Sequence, residues 1–434
     1  MKIAVVALGK IGLPLAVQIA CKGHDVIGSD ISPAVVDLVN AGTPPFPGEA
    51  ELEERLARVL SEGRLEATTS TTDAVARSEV VVVVVPLMTD IDGRPDFSAM
   101  DTATRDIAAG LQPGTLVSYE TTLPVGTTRG RFGPMLEEGS GLKPGDGLFL
   151  VHSPERVFSG RIFSDLSRYP KLVGGIDEAS TRAGVEFYES VLDFDDRPDL
   201  SRPNGVWAMD SAEAAELAKL AETTYRDVNI ALANEFAAFA EEAGIDIGDV
   251  IAASNSQPYS HIHRPGVAVG GHCIPVYPLF YLTGHPGAEL VETARRVNRS
   301  VPDRVVAAVE KELGGLAGRK VLVLGAAYRG GVKETAYSGV FDLREAITDR
   351  GGTPVVADPL YTEEELTRLG LDPWTGDEID AVIVQSDHVE YTTLTPDDLP
   401  GAQIVFDGRG VLDADLWDGS EARVMVIGQG SKTR

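Results

Sequence analysis

Cysteine is scarce in this sequence, with two residues, Cys21 and Cys273, among 434. Two cysteines cannot build the disulfide framework of a small secreted domain, and their scarcity fits a reducing compartment. Residues 1–6 also lack the shape of a signal peptide. We therefore expect a cytoplasmic protein.

Positive charge is also in short supply, with 38 lysines and arginines against 66 acids and a formal net charge of −28. Non-specific binding of DNA or RNA depends on clustered basic side chains, so this composition argues against a nucleic-acid partner. An anionic ligand would need a local group of basic side chains or backbone N–H groups.

Long apolar runs are absent. The most apolar run, residues 80–85, ends at Pro86 and is far too short to span a bilayer, so we expect no membrane partner. The length of 434 residues exceeds what a single core normally covers and predicts two or three domains.

The N-terminal segment has the pattern of a strand, a turn, a helix and a second strand. Residues 2–8 are apolar and rich in β-formers, residues 13–21 have helical spacing, and residues 26–29 form the next strand. A unit of this kind places a helix N-terminus at the pyrophosphate of a dinucleotide and an acid at its ribose. Asp30 is that acid, and it favours NAD over NADP.

The glycine pattern of this turn is incomplete. Gly9 and Gly12 are present, but Ala7 stands where the dinucleotide fingerprint has its first glycine. Ala7 is compatible with this fingerprint if its φ stays negative, because a methyl group disfavours the left-handed region. An ordinary βα turn in another α/β fold is the alternative interpretation.

Four further apolar strands, interspersed with helical or turn-rich stretches, indicate a parallel, doubly wound sheet, in which ligands gather at the carboxyl ends of strands. Polar clusters follow these strands at residues 86–89, 120–126 and 153–156. The expected strands are residues 80–85, 116–119, 148–151 and 171–173.

A helical middle and a second α/β unit follow. Ser211 is a candidate N-cap for a helix that runs to about Ala243, before Gly244. From about Arg319 the strand-then-glycine entry recurs. We expect an α/β protein in which two Rossmann-like domains are joined by a central helical domain that builds a homodimer. The expected domains are residues 1–203, 204–302 and 303–434.

The second cysteine lies in a loop that reads Gly270-Gly271-His272-Cys273-Ile274-Pro275. Glycine permits φ > 0 and close approach of a ligand, as an attackable thiol would require. Alone the signal is weak, because a free cysteine is commonly a small hydrophobe.

Together these motifs resemble the UDP-glucose/GDP-mannose dehydrogenase family, whose members oxidise the C6 hydroxymethyl of a nucleotide sugar to a carboxylate with two NAD⁺. The likeness extends nearly end to end, and residues 153–157 and 226–231 are most similar to the UDP-N-acetylmannosamine dehydrogenase branch. It rests on residues 9–14, 120–127, 153–156, 215–219, 270–275 and the loop from Gly325.

The resemblance implies NAD as cofactor, a UDP-sugar as substrate, and a role for each matching position. Cys273 would attack the aldehyde, Lys219 would stabilise the oxyanion, and Glu155 would activate water. The implied catalytic residues are Cys273, Lys219, Glu155, Thr122 and Thr223. The implied cofactor-binding residues are Gly9, Lys10, Ile11, Gly12, Asp30, Pro86 and Thr122. The implied substrate-binding residues are Glu155, Arg156, Lys219, Arg264, Gly270, Arg329 and Lys333.

Four positions depart from the family pattern and leave both the sugar and the base of the first oxidation open. Thr223 replaces an asparagine, Tyr277 an aspartate, Ser159 a glutamate and Ala336 an arginine. UDP-glucose stays an alternative substrate. A catalytically silent nucleotide-sugar-binding protein and a two-electron 3-hydroxyacid dehydrogenase are the alternative functions.

Two groups of residues keep plainer interpretations. The resemblance implies that Arg264 reaches the substrate of a neighbouring subunit, and an ordinary surface arginine explains it about equally well. The histidines His261, His263, His272 and His285 lack metal-ligand spacing, so we expect no metal site.

Overall fold

The computed structural model describes residues 1–90 and 93–429, and the chain divides into two compact units, Met1–Ala221 and Glu222–Arg434. Each unit contains a mainly parallel sheet with helices packed on it. Among the described residues, no helix combines the length and the apolar character needed to cross a membrane.

The first unit is built on a nine-stranded sheet. Its strands are β1 Lys2–Val6, β2 Asp25–Ser29, β3 Leu65–Thr68, β4 Val80–Val83, β7 Leu116–Tyr119, β8 Lys143–Pro144, β9 Gly147–His152, β10 Lys171–Gly175 and β11 Val206–Ala208, while β5 Met88–Thr89 and β6 Pro95–Asp96 form a separate pair. The order is β11-β10-β9-β7-β4-β1-β2-β3, with β8 beside β9. Every pairing in this sheet is parallel except that of β10 with β9.

Eight helices of the first unit cover this sheet, and several begin at a side chain that accepts a backbone N–H. Ser32, Ser70 and Asp177 have this N-cap role. The helices are α1 Gly12–Cys21, α2 Pro33–Asn40, α3 Leu52–Ser61, α4 Thr71–Ala76, α5 Ser98–Gly110, α6 Gly133–Ser140, α7 Ile162–Arg168 and α8 Glu178–Val191, with a π-helical turn at Thr128–Phe132.

A long helix, α9 Ala212–Ala243, follows and enters the second unit. Its first turn is capped by Ser211, whose Oγ accepts the N–H of Ala214 at 3.1 Å. Gly244 adopts φ +69° directly after its last residue, as expected at a helix C-terminus. The predicted start and end of this helix are thus confirmed.

The second unit contains a five-stranded sheet, parallel throughout. Its order is β13-β12-β14-β15-β16. The strands are β12 Lys320–Leu324, β13 Thr353–Ala357, β14 Ala381–Val384, β15 Ile404–Asp407 and β16 Arg423–Val426. The helices are α10 Ile247–Asn255, α11 Tyr277–Gly284, α12 Glu289–Leu313, α13 Gly339–Asp349 and α14 Glu363–Arg368.

The predicted class, two Rossmann-like parallel α/β units and a helical middle, is confirmed. Several details were wrong. The strand expected over residues 80–85 ends at Val83. The sheet was expected to be parallel, but β10 is antiparallel to β9. Strands β3, β5, β6, β8 and β11 were not predicted, because all are short, mostly half-exposed or exposed, and lack the apolar runs that marked the others.

Candidate functional site

The carboxyl edge of the first sheet gathers most of the predicted site residues of the first unit. Strands β1, β4, β7 and β9 are parallel neighbours, so the segments that follow them lie at one edge. These segments hold the glycine turn, Pro86, Thr122 and Glu155. Thr122 is buried and Pro86 is exposed. Parallel strands thereby bring together clusters that are far apart in the sequence.

The turn after β1 places Ala7 at φ +78°, so the condition of a negative φ is not met. The Ala7 N–H donates to the Ser29 carbonyl at 2.8 Å, and the chain then turns into α1. The second sheet has the same kind of turn at Gly325, which adopts φ +108° and donates its N–H to the Ala357 carbonyl at 2.8 Å. The turn needs a left-handed residue directly after the first strand, and in the first sheet the small methyl of alanine is accommodated.

Gly9 and Gly12 differ in what surrounds them. A Cβ added to Gly12 would lie 1.9 Å from the Ala7 carbonyl oxygen and 2.8 Å from Cγ2 of Val84, so glycine is required for the turn itself. A Cβ on Gly9 would have no neighbour within 4 Å. The exposed Gly9 therefore leaves room for the backbone to approach a ligand.

The N-terminus of α1 suits a phosphate group. No side chain caps it, and its first turn contains no acid. Asp30 follows β2 and accepts the N–H groups of Leu8 and Ser32, each at 2.9 Å. These bonds hold the carboxylate beside the turn, where a ribose hydroxyl would be bound. The uncapped helix end, the open space at Gly9 and the acid at Asp30 fit a dinucleotide.

A buried ion array lies at the ends of β7 and β9. The Lys171 ammonium donates to Glu120 Oε2 at 2.7 Å and to Glu155 Oε2 at 2.9 Å. The Tyr188 hydroxyl donates to Glu120 Oε1 at 2.6 Å and lies 2.7 Å from Ser118 Oγ. We call Glu120, Lys171, Glu155 and Tyr188 the Lys171 array.

Burial and charge set the protonation of this array. Burial raises the pKa of Glu120 to about 7 despite the nearby Lys171. Burial also opposes ionisation of Glu155, but Lys171 and the Arg156 N–H outweigh it and lower the pKa of Glu155. The two carboxylates raise the pKa of Lys171 against its burial. Burial, aided by Lys171, lowers the pKa of the neighbouring His152 to about 3, so that imidazole is neutral.

Helix α9 is fastened to the loop after β7 by a buried glutamate. Glu216 accepts the N–H of Gly126 at 2.5 Å and both the N–H and the hydroxyl of Thr128, at 2.8 and 2.7 Å. Burial raises the pKa of Glu216 to about 7 against these hydrogen bonds. Lys219, also buried, follows three residues later and so shares this face of the helix. The predicted Lys219 is therefore on the side of α9 that meets the loop containing Thr122.

Four ionisable residues that form these hydrogen bonds were not predicted as site residues. Glu120 appeared only within a polar cluster, Lys171 only as the start of a strand and Glu216 only within a helix, while Tyr188 was not singled out. A usable signal existed for two of them, because a lysine opening a buried strand and a glutamate in the apolar stripe of a helix both require partners.

In the second unit, the cysteine loop is held tightly against the segment after β12. Gly271, at φ +87°, donates its N–H to the Ala336 carbonyl at 2.9 Å. A Cβ on Gly270 would lie 2.6 Å from Cβ of Tyr328. The half-buried Cys273 follows, and its carbonyl accepts the N–H of Tyr277 at 2.9 Å in the first turn of α11. The thiol thus lies on a loop that backbone hydrogen bonds fix on both sides, directly before α11.

The segment after β12 contains the two basic residues predicted to bind substrate. Half-buried Arg329 donates from Nε to the Tyr328 hydroxyl at 3.2 Å. Lys333 forms an exposed ion pair with Glu365, with 2.6 Å between Nζ and Oε1. Asp358 fastens the start of the segment by accepting the N–H groups of Ala326 and Ala327, as Asp30 does in the first sheet.

The two remaining predicted residues of the second unit lie in different surroundings. Thr223 is fully buried on α9. Arg264 is exposed, in a loop whose backbone is fixed by side chains of two helices. Asn229 of α9 accepts the His263 N–H at 2.9 Å, and Asn255 of α10 accepts the Ile262 N–H at 2.8 Å. Within residues 1–90 and 93–429, no group of three or more His, Cys, Asp and Glu side chains could hold a metal ion.

Three family profiles match successive parts of the chain. Residues 1–192 match the NAD binding domain of the UDP-glucose/GDP-mannose dehydrogenase family, residues 213–300 match its central domain, and residues 322–414 match its UDP binding domain.

Whole-length relatives agree with these profiles. A UDP-N-acetyl-D-mannosamine dehydrogenase of Pyrococcus horikoshii is 33% identical over 422 residues, covering 95% of this chain and 96% of the relative. A solved UDP-D-ManNAc dehydrogenase structure from P. horikoshii superposes with TM-score 0.88 at 31% identity, covering 99% of this chain and all of the other. A UDP-glucose dehydrogenase from Pyrobaculum islandicum superposes with TM-score 0.86 at 27% identity, covering 99% and 98%.

Proposed function

Because this chain belongs to the UDP-glucose/GDP-mannose dehydrogenase family and is an NAD-dependent UDP-sugar dehydrogenase, we propose that it oxidises the C6 hydroxymethyl of UDP-N-acetylmannosamine to a carboxylate. The family predicted from the motifs is confirmed. The observation that carries the four-electron reaction is Cys273, a thiol on a glycine-tight loop before α11. The relatives' names support the choice of sugar.

The cofactor would be held at the carboxyl edge of the first sheet. The turn of Gly9, Lys10, Ile11 and Gly12 and the N-terminus of α1 would bind the pyrophosphate, and Asp30 would bind ribose. We place Pro86 and Thr122 beside the nicotinamide end. When bound, NAD⁺ supplies the hydride acceptor for both oxidations.

Cys273 divides the oxidation into two hydride losses. The first removes a hydride from C6 and the proton from its hydroxyl, which leaves an aldehyde. The thiolate of Cys273 then attacks the aldehyde carbon, a C–S bond forms, and the carbonyl oxygen becomes the oxyanion of a thiohemiacetal. Loss of the second hydride from this carbon leaves a thioester. Water attacks the thioester, the C–S bond breaks, and the carboxylate leaves while the thiol is restored.

Three side chains of the first unit would assist these steps. The Lys219 ammonium would stabilise the oxyanion. Glu155 is ionised and partly open to solvent, with its side chain 12% exposed, so it would take the proton of the attacking water. Thr122 would position the water and the reacting hydroxyl, and we include Thr223 as a further catalytic position.

The remaining proposed contacts orient the substrate. Arg156 and Gly270 would line the sugar, and Arg329 and Lys333 would bind the phosphates of the nucleotide. Lys333 would have to exchange its ion pair with Glu365 for the phosphate, which costs little because that pair is exposed. The exposed Arg264 would reach the substrate of a neighbouring subunit.

We expect two NADH per nucleotide sugar consumed. The test incubates the protein with NAD⁺ and, separately, UDP-N-acetylmannosamine, UDP-N-acetylglucosamine and UDP-glucose, and follows NADH absorbance beside uronate formation. A ratio of one NADH per sugar would reject the four-electron route. A clear preference for UDP-glucose would reject the proposed sugar and keep the reaction.

We also propose a homodimer built through α9. Four large apolar side chains of this helix, Tyr225, Leu232, Phe236 and Phe239, are 52, 42, 40 and 67% exposed. Their spacing of seven, four and three residues places them on one face. An exposed apolar face of this kind is typical of a protein–protein interface.

Changing Phe239, the most exposed of these side chains, to glutamate is expected to shift the protein from dimer to monomer, because a carboxylate within an apolar interface is left without a partner. Sedimentation velocity at micromolar concentration measures the shift. Val389→Glu is the control, since Val389 is 74% exposed in the C-terminal α/β unit and outside the proposed interface. A wild-type protein that sediments as a monomer would contradict the dimer.

Two further assignments belong to this proposal. A cytoplasmic location is supported by the free thiols of Cys21 and Cys273. The division into an NAD domain of residues 1–203, a central domain of residues 204–302 and a UDP-sugar domain of residues 303–434 is supported by the order of the three matching profiles.

A further inference from the structure

The Lys171 array has more carboxylate than ammonium. One lysine bonds two glutamates, so the array holds one excess negative charge when both are ionised, in a region where charge is poorly solvated. The exposed fractions of the side chains of Glu120, Lys171 and Glu155 are 0, 5 and 12%. Glu155 is therefore the member of this ion group that water reaches most readily.

Both oxygens of Glu155 are held in place. Oε1 accepts the N–H of Arg156 at 2.6 Å and of Val157 at 3.2 Å, while Oε2 accepts from Lys171. The Glu155 N–H in turn donates to the Glu120 carbonyl at 3.1 Å. The orientation of Glu155 thus depends on its own loop and on one ammonium from the neighbouring strand.

Lys171 is itself held from the other side. Glu120 accepts from it, Tyr188 lies beneath it with 4.9 Å between Nζ and the ring centre, and the Tyr188 hydroxyl is anchored on Glu120. The ionisable groups facing the ammonium are Glu120, Glu155, Tyr188 and the neutral His152. The Arg156 guanidinium, on the Glu155 loop, donates from Nη1 to the Pro170 carbonyl at 3.3 Å. Removal of Lys171 would take away the ammonium that bonds both carboxylates.

We propose that Lys171 is a positioning residue that keeps Glu155 ionised and aimed at the attacking water, with Glu120 holding the ammonium in place from behind. The inference rests on the proposed function, in which Glu155 activates water for thioester hydrolysis. It assigns a role to a lysine that would not itself touch the substrate.

The sign of the effect follows from charge. Removal of the Lys171 cation raises the pKa of Glu155, so more of this base is protonated at a given pH and hydrolysis slows on the acid side. Glu120 contributes to the lowered pKa of Glu155 through a side-chain hydrogen bond, and the amide of a Glu120→Gln variant can also donate to Glu155, so this variant should not raise the pKa of Glu155. A purely structural role for Lys171 would slow every step and leave the pH dependence where it was.

The experiment measures the decay of the covalent Cys273 adduct by rapid acid quench and intact mass across about pH 5 to 9. In Lys171→Met we expect the acid limb of the pH–rate profile to shift to higher pH by at least about one unit. At pH values below that limb, the adduct should then decay roughly tenfold more slowly than in wild type. Lys171→Arg should keep the limb within about half a unit of wild type, since it keeps the charge. In Glu120→Gln the limb should stay or move down.

Folding and function are separated by two further measurements. If Lys171→Met does not fold, the double variant Lys171→Met/Glu120→Gln makes both of these positions neutral and leaves Glu155 as the charged member of the array. It should still show an upward shift, because the lost ammonium bonds Glu155 directly at 2.9 Å. This inference alone is overturned if the acid limb of the pH–rate profile stays in place in a folded Lys171→Met or double variant. It is also overturned if that limb shifts to higher pH in Glu120→Gln. Absence of NADH from wild-type protein with every nucleotide sugar would instead overturn the proposed function.

Discussion

Replacing Cys273 with alanine is expected to abolish uronate formation, with a loss of roughly 10³-fold or more. The thiol is the only proposed group that can give the aldehyde carbon the tetrahedral form needed for a second hydride loss. Without it the reaction should stop after one oxidation, so NADH per sugar should fall to one or below. Coupled absorbance and mass analysis of the products measure both quantities.

Cys21→Ala is the matched control for this experiment. Cys21 is the other free thiol of the chain, also half-buried, and lies at the end of α1 with its sulfur 3.0 Å from Arg58. Its loss should leave the NADH ratio at two. Uronate formation at the wild-type rate by Cys273→Ala would contradict covalent catalysis by Cys273. If Cys273→Ala keeps full activity and Cys21→Ala loses it, Cys21 would be the nucleophile instead.

Replacing Gly12 with alanine is expected to destabilise the first unit by about 2 to 3 kcal/mol, the upper part of the usual range of about 1 to 3 kcal/mol for overpacking. The new methyl would lie 1.9 Å from a backbone oxygen, that of Ala7, and backbone cannot rotate away as a side chain can. The turn would have to shift, and with it the N-terminus of α1. We expect at least about a tenfold loss of NAD⁺ affinity, measured by calorimetry beside urea unfolding.

Gly9→Ala separates ligand approach from internal packing. A methyl at Gly9 meets nothing within 4 Å, so the free energy of unfolding should change by less than about 0.5 kcal/mol. NAD⁺ affinity should still fall, because the methyl occupies the space left for the pyrophosphate. Equal destabilisation by the two variants would show that the turn does not pack as described, and unchanged affinity in Gly9→Ala would move the cofactor away from this turn.

The sequence by itself determined the local elements with strong patterns. Buried strands such as β12 appear as unbroken apolar runs, and α9 begins and ends at Ser211 and Gly244, whose local chemistry needs no distant partner. The ordered motifs also determined the family. Strand β11 was not predicted because three half-exposed residues acquire their strand character from pairing with β10.

Only the tertiary structure decided the protonation and the partners of the buried charges. Lys171 and Glu120 are 51 residues apart, and their 2.7 Å contact exists because β10 and β7 belong to one sheet. The left-handed φ of Ala7 was likewise decided by the geometry of the turn after β1, against the preference of alanine. Spacing in a sequence records local periodicity, whereas burial, which sets the cost of an unpaired charge, depends on what the rest of the chain packs around it.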